Sequence, residues 1–228
     1  MGRRVGWAVA YPPGASDGIR LPVLLVLHGR GGDHSNAFGA GLGLDRFLAD
    51  AVTRGGPAFA IASADGGDTY WHRRTSGEDA GAMVTDEFVR LLGGLSLDVA
   101  RVGFLGWSMG GYGSMLLASR LGPSHVAAVA AESPEIWESA NQTAPGAFDG
   151  PADYEAHTVL RRHAQLARIP LRIDCGTGDP FYRATKAFIA ILSPRPAGGF
   201  RPGGQDLGYW RRMAPAQLAF VGRHLRPG

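Results

Sequence analysis

The sequence predicts an α/β fold, a mostly parallel central sheet with helices on both faces, built by residues 1–228 as one domain. Short apolar runs alternate with amphipathic stretches along the whole chain. The run Leu21–His28 is apolar throughout, as a strand covered on both faces must be. The 228 residues carry no linker-like tract, no internal repeat and no low-complexity segment, which suits one domain able to fold on its own core.

Taken in order, Val5–Tyr11 reads as a strand stopped by Pro12-Pro13. Leu21–His28 is the second, followed by a Gly-rich loop and a helix near Leu44–Arg54. Phe59–Ala64 is a third strand. Over Asp79–Leu92, Met83, Val84, Phe88, Leu91 and Leu92 recur at helical spacing. Arg101–Trp107 is a strand, Met109–Leu121 a helix that opens on small residues, and Val126–Ala131 a strand. Residues 134–168 are less regular and rich in aromatics. Leu171–Cys175 is a strand, Phe181–Leu192 a helix, Gly198–Arg201 a short strand and Tyr209–Leu225 a closing helix. In such sheets ligands bind beyond the carboxyl ends of the strands.

Composition narrows the function classes. Hydrophobic residues make up 45% and charged residues 19%, a globular balance with no sign of disorder. The net charge of +3 is spread over isolated pairs such as Arg3-Arg4, Arg73-Arg74, Arg161-Arg162 and Arg211-Arg212, so no nucleic-acid partner is expected. Lys186 is the sole lysine, a bias that fits a GC-rich, bacterial source. No apolar stretch reaches the roughly 18 residues of a membrane span. Val5–Ala10 is too short for a signal-peptide core, so the expected location is cytoplasmic. Cys175, the only cysteine, excludes a disulfide framework and any multi-cysteine metal site. No phosphate-cradling glycine motif is present, and neither a cofactor nor a metal is expected. The expected partner is a small ester or acyl compound; oligomeric state is left open.

The strongest chemical signal is Gly106-Trp107-Ser108-Met109-Gly110, followed by Gly111. A G-x-S-x-G between a strand and a helix makes a sharp, strained turn. Small neighbours are needed so that the serine hydroxyl can stand above the sheet. The Met109 amide then donates to a developing oxyanion at the helix N-terminus. His28-Gly29-Arg30-Gly31-Gly32 follows the buried second strand and can bring a second amide, that of Arg30, to the same point; His28 itself reads as a structural residue of the loop. In Gly176-Thr177-Gly178-Asp179-Pro180, Asp179 stands just past a strand end, where a triad acid belongs, and it also suits an N-cap before Pro180.

These stretches resemble the α/β-hydrolase superfamily, more narrowly the putative-esterase group that includes esterase D and the mycobacterial mycolyltransferase antigens. The carrying residues are LHGRGGD (27–33), DGGDTYWHRR (65–74), GWSMGGYG (106–113), CGTGDPFY (175–182) and PGGQDLGYW (202–210), in the family's order over nearly the whole chain. The resemblance implies an α/β-hydrolase fold with no large lid domain and a serine hydrolase or acyltransferase. One departure matters: where the family reads Gly-Gly-His-Asp, this chain reads Gly203-Gly204-Gln205-Asp206.

An amide accepts no proton near neutral pH, so Gln205 can hydrogen-bond but cannot act as general base. Loss of one triad member costs roughly 10⁴–10⁶ in rate. His72, in DTYWHRR, is the first substitute to consider, with His34 behind it. Gln205 fits three situations: an exchange that traps an acyl-enzyme, a relative doing non-hydrolytic chemistry (lyase, isomerase or cyclase), or a catalytically silent binding protein. Gly29, Tyr70, Trp71, His72, Trp107, Phe181 and Tyr209 are candidate pocket walls, and Asp65 and Asp68 candidate partners for polar substrate groups.

Overall fold

The computed structural model describes residues 2, 4–15 and 19–225; Arg3 of the first arginine pair lies outside the described residues. Among the described residues seven strands form one sheet: β1 (Trp7–Ala10), β2 (Pro22–Leu27), β3 (Ala60–Ala64), β4 (Asp98–Trp107), β5 (Val126–Glu132), β6 (Leu171–Gly176) and β7 (Ala197–Arg201). Their order is β1-β3-β2-β4-β5-β6-β7. β1 runs antiparallel to β3 and every other pair is parallel. Helix α1 (Leu44–Thr53), the short turns α2 (Ala80–Ala82) and α3 (Val89–Gly94), α4 (Met109–Leu121), α5 (Pro151–His157), α6 (His163–Leu166), α7 (Tyr182–Ile191) and α8 (Leu207–His224) complete the chain.

Why the strands read as continuous apolar runs is visible in their burial. All residues of β2, β3 and β5 are buried, because helices cover both faces. One core lies under α4 and the aromatic segment, with Leu25, Phe104, Met115, Leu116 and Ile173. The other lies under α1 and α8, with Leu24, Leu44, Leu48, Leu105 and Leu218. The expected α/β-hydrolase fold is the one observed. Three details differ. The stretch expected as one helix over Asp79–Leu92 widens to a π-helix over Met83–Phe88, between α2 and α3. β4 begins at Asp98, earlier than its apolar run. The irregular 134–168 region holds the short helices α5 and α6. Among the described residues no helix is long and apolar enough to cross a membrane.

Candidate active site

Four loops meet at the carboxyl edge of the sheet, around the junction of β4 and α4. Ser108 sits at that junction with φ +56° and ψ −122°, a conformation that a side chain adopts only under constraint. The glycines around it show the constraint. A Cβ on Gly106 would overlap the Gly110 carbonyl, and a Cβ on Gly110 would overlap that of Leu27. A Cβ on Gly111 would stand 2.9 Å from the Glu132 carbonyl. The turn is therefore wedged between β2 and β5, as the motif's small residues require. Ser108 is 6% exposed.

The loop after β2 packs directly on this turn: a Cβ on Gly29 would lie 3.4 Å from Ser108 Cβ and 2.9 Å from Trp107 Nε1. His28 braces the loop, its Nε2 accepting from the Gly66 amide at 2.9 Å while Nδ1 faces the Gly29 carbonyl at 2.8 Å. Burial holds its pKa below the usual imidazole value, which agrees with a neutral, structural ring. Asp68 accepts from the Gly31 amide at 2.7 Å. Asp65 takes the Gly6 and His34 amides and the His34 ring. Both oxygens of Asp65 are thus taken up in holding the chain in shape, whereas Asp68 is exposed and braces the loop through Oδ1 alone. Met109 opens α4, so its amide is one that a helix leaves without an internal partner. The Arg30 amide likewise has no acceptor among the described residues.

Around the serine hydroxyl the hydrogen bonds have a fixed sense. Gln205 Nε2 donates to Ser108 Oγ at 3.0 Å. Ser108 Oγ donates to Glu135 Oε1 at 2.7 Å. The other oxygen of Glu135, Oε2, accepts from the Tyr70 hydroxyl at 2.6 Å, and the Glu135 amide donates to the Ser108 carbonyl at 3.2 Å. Burial, then the Glu135 carboxylate, push the Tyr70 phenol far above its usual pKa. Glu135 has no counterpart in the sequence reading. It lies in no motif and follows β5 by three residues; the one cue was its place past the strand next to β4.

Asp179 stands 5% exposed past β6. Its Oδ1 accepts from the Phe181 amide at 2.8 Å in the turn that leads into α7; the helix starts at Tyr182 with Phe181 as its N-cap, so the expected N-cap role of Asp179 before Pro180 is not observed. Its Oδ2 is buried without a hydrogen-bond partner, and the facing Ser133 hydroxyl does not reach bonding geometry. Burial pushes the Asp179 carboxyl up, against the Phe181 amide and the nearby Ser133 and Cys175 side chains, which pull it down. The loop is pinned to the end of β7 and the loop that follows by Thr177 N to Arg201 O and Gly178 N to Gly203 O, both 2.9 Å. Gln205 is brought to Ser108, but among the described residues no hydrogen bond joins it to Asp179. Cys175 is buried, and its thiol is pushed up to about 12 by burial and then by Asp179.

His72 does not substitute for the missing histidine. It is fully buried, its Nε2 lies 3.0 Å from Asp153 Oδ2, and its ring stacks on His157 at 4.2 Å. Trp71 is also fully buried; a Cβ on Gly113 would overlap its ring and one on Gly66 would come within 2.5 Å. Neither residue offers surface to a ligand, so the pocket-wall expectation fails for both. Tyr70 and Tyr209 are buried too. Tyr70 enters the site only through its hydroxyl, while Tyr209 packs behind Gly203. Trp107 leans on Trp210 at 6.2 Å. Phe181 is half-buried against Trp137, which with Phe148 forms an aromatic group around Tyr70. Among the described residues two sets of side chains lie close enough to share an ion: His72, Asp153 and His157, and Asp33, His34 and Asp65. In both, a ring nitrogen is already engaged by a carboxylate.

Residues 1–195 match the family model described as "Putative esterase". A solved ferulic acid esterase superposes with a TM-score of 0.78 at 21% identity, covering 97% of this chain and 93% of its own. An S-formylglutathione hydrolase from Agrobacterium tumefaciens gives 0.77 at 18%, covering 96% and 90%. Mycobacterium tuberculosis MPT51 gives 0.73 at 16%, covering 99% and 95%. At these identities the likeness speaks for the fold. No curated protein matches the chain in sequence.

Proposed function

Because the chain belongs to the putative-esterase family, we propose that it is a serine hydrolase that forms an acyl-enzyme at Ser108 from a small ester substrate. The observation that carries this reading is the strained Ser108 at the β4–α4 turn, its hydroxyl held between a donor, Gln205, and an acceptor, Glu135. Strain at one non-glycine residue is retained where function needs that residue's direction. In this reading Ser108 Oγ attacks the acyl carbon, and the carbonyl electrons move onto an oxygen facing the Met109 and Arg30 amides. The alcohol then leaves and water hydrolyses the Ser108 ester. Asp179 and Gln205 occupy the acid and base positions of a triad, with Gln205 limited to donating.

Turnover of p-nitrophenyl acetate and labelling by a fluorophosphonate test this. Wild type should be labelled once per chain, and Ser108→Ala should lose the label and about 10⁴-fold or more in turnover. Label that persists in Ser108→Ala, or a wild type and a Gln205→His that both stay unlabelled and inert, overturns the reading. The unpartnered Asp179 Oδ2 favours a second reading, a non-hydrolytic relative using the same pocket. That reading predicts labelling without ester turnover in either protein.

A further inference from the structure

We propose that Glu135 is the proton acceptor of Ser108, a catalytic residue that supplies from the β5 side the basicity that Gln205 cannot; this rests on the serine-hydrolase reading above.

The polarity of the hydrogen bonds leads to it. The Gln205 amide nitrogen can only donate, and it donates to Ser108 Oγ. A carboxylate can only accept, so the single proton of the hydroxyl lies on the line to Glu135 Oε1, 2.7 Å away. That separation is within the reach a general base needs. Oε2 is occupied by the Tyr70 hydroxyl at 2.6 Å, which leaves Oε1 to face the serine. The Glu135 amide bonds the Ser108 carbonyl, so backbone and side chain both fix the pair.

Backbone strain is placed on the same three segments. Among the described residues, five non-glycine residues have positive φ: Tyr70 (+51°), Trp71 (+59°), Ser96 (+65°), Ser108 (+56°) and Ser133 (+43°). Ser108 carries the nucleophile, Tyr70 the second partner of Glu135, and Ser133 the turn that brings Glu135 back over Ser108. Such residues carry backbone strain, and such outliers gather at active sites. The charged and titratable neighbours of the trio are few. Tyr70 touches Glu135, and the Arg30 guanidinium, whose Nη2 donates to the Pro145 carbonyl at 2.8 Å, acts on the Tyr70 hydroxyl. No histidine makes a hydrogen bond to the side chain of Ser108, Glu135 or Tyr70 among the described residues; His72 reaches only the Tyr70 carbonyl.

The step balances without a co-reactant beyond water. As Oγ bonds to the acyl carbon, the Oγ–H bond breaks and its proton passes to Glu135 Oε1. When the tetrahedral intermediate collapses, the bond to the leaving oxygen breaks and that oxygen takes the proton from Glu135. In deacylation a water proton passes to Glu135 as its oxygen attacks, and Ser108 Oγ leaves with that proton. A carboxylate is a weaker base than imidazole, so acylation favours esters whose leaving oxygen carries negative charge readily.

The test is the acylation rate with p-nitrophenyl acetate for wild type, Glu135→Gln, Gln205→His and the double variant, with Ser108→Ala as the zero. Glu135→Gln should lose about 10²-fold or more in the wild-type background. In the double variant, where Gln205→His supplies an imidazole, the loss should be less than about tenfold. A Glu135→Gln within about threefold of wild type, with Ser108→Ala inactive, overturns Glu135 as acceptor and leaves the serine hydrolase standing. A wild type that is inert while Gln205→His turns over also overturns it. Loss of labelling and turnover in both wild type and Gln205→His instead fails the underlying reading. Should Glu135→Gln not fold, Glu135→Asp decides: the shorter side chain keeps the carboxylate but draws it back from Ser108 Oγ, so acylation should fall by about tenfold or more, and a Glu135→Asp within about threefold of wild type overturns the proposal.

Discussion

On the β5 side of Ser108, Glu135 engages both of its oxygens, one with the serine and one with Tyr70. On the β6–β7 side, Asp179 is held in place by the Phe181 amide yet leaves Oδ2 buried without a partner. The backbone on that second side is intact: Gly176, Gly178 and Gly203 pack the two loops together, and two amide–carbonyl bonds zip them. The contrast separates two things that a triad usually joins. Loop geometry on the acid side is specified by backbone and glycines, so it survives whatever stands at position 205. Proton chemistry is specified by side chains, and the serine's acceptor here stands on the opposite wall.

The sharpest way to break this comparison is to restore the histidine. In Gln205→His the imidazole should take Asp179 Oδ2, which has no hydrogen-bond partner among the described residues, as its acceptor. Asp179→Asn in that background should then cost about 10²–10⁴-fold in acylation, as loss of the orienting carboxylate does in a working triad. The same Asp179→Asn in the wild type should change the rate by less than about threefold, because no described hydrogen bond couples Asp179 to the serine. Equal losses in both backgrounds would show that the acid side already contributes. A smaller effect is expected from Tyr70→Phe, which frees Glu135 Oε2 and loosens Oε1. It should slow acylation by about tenfold and reduce stability by about 1.5 kcal/mol, read from denaturant unfolding. Glu135 rates that ignore the Tyr70 hydroxyl would mean that the carboxylate is positioned by its backbone alone.

How much of this was legible follows from the physics of each part. Strand positions were readable because burial on both sheet faces forces unbroken apolar runs, as in β2 and β5. The tight turn at Ser108 was readable because steric exclusion leaves a fixed glycine pattern around it. The glutamine at a position where the resemblance implies a histidine was readable because Gln205 falls where a local motif sets the register. Glu135 was not legible, since its contact with Ser108 depends on the pairing of β4 with β5 and on one left-handed residue, Ser133. A lone glutamate in a loop reads as solvated surface. The burial of Trp71 and His72 was hidden for a similar reason: aromatic residues near a strand end look alike whether they face the cleft or slot between Gly66 and Gly113.

The least visible difference between the two sides should appear in stability. Glu132 ends β5 three residues before Glu135, pairs in register with Asp174 on β6, and is fully buried with neither carboxylate oxygen hydrogen-bonded. Asp174, by contrast, is held by Arg172 at 2.6 and 2.9 Å and by Gln217 at 3.1 Å. Burial first, and then the Asp174 carboxylate, push the Glu132 carboxyl well above its ordinary range. The native state therefore keeps a proton that the unfolded chain gives up from about pH 4.3 upward. Between that pH and the native value the folded protein binds more protons, so this group's contribution to stability falls as pH rises. Glu132→Gln removes the ionisation. Its unfolding free energy should gain on that of the wild type as pH rises above about 5, by up to about 1.4 kcal/mol per unit until the raised native value is passed. A wild-type-minus-variant difference that stays flat across that range would mean that Glu132 finds a partner the fold does not show, and that the β5 end is as fully paired below the sheet edge as it is at Ser108.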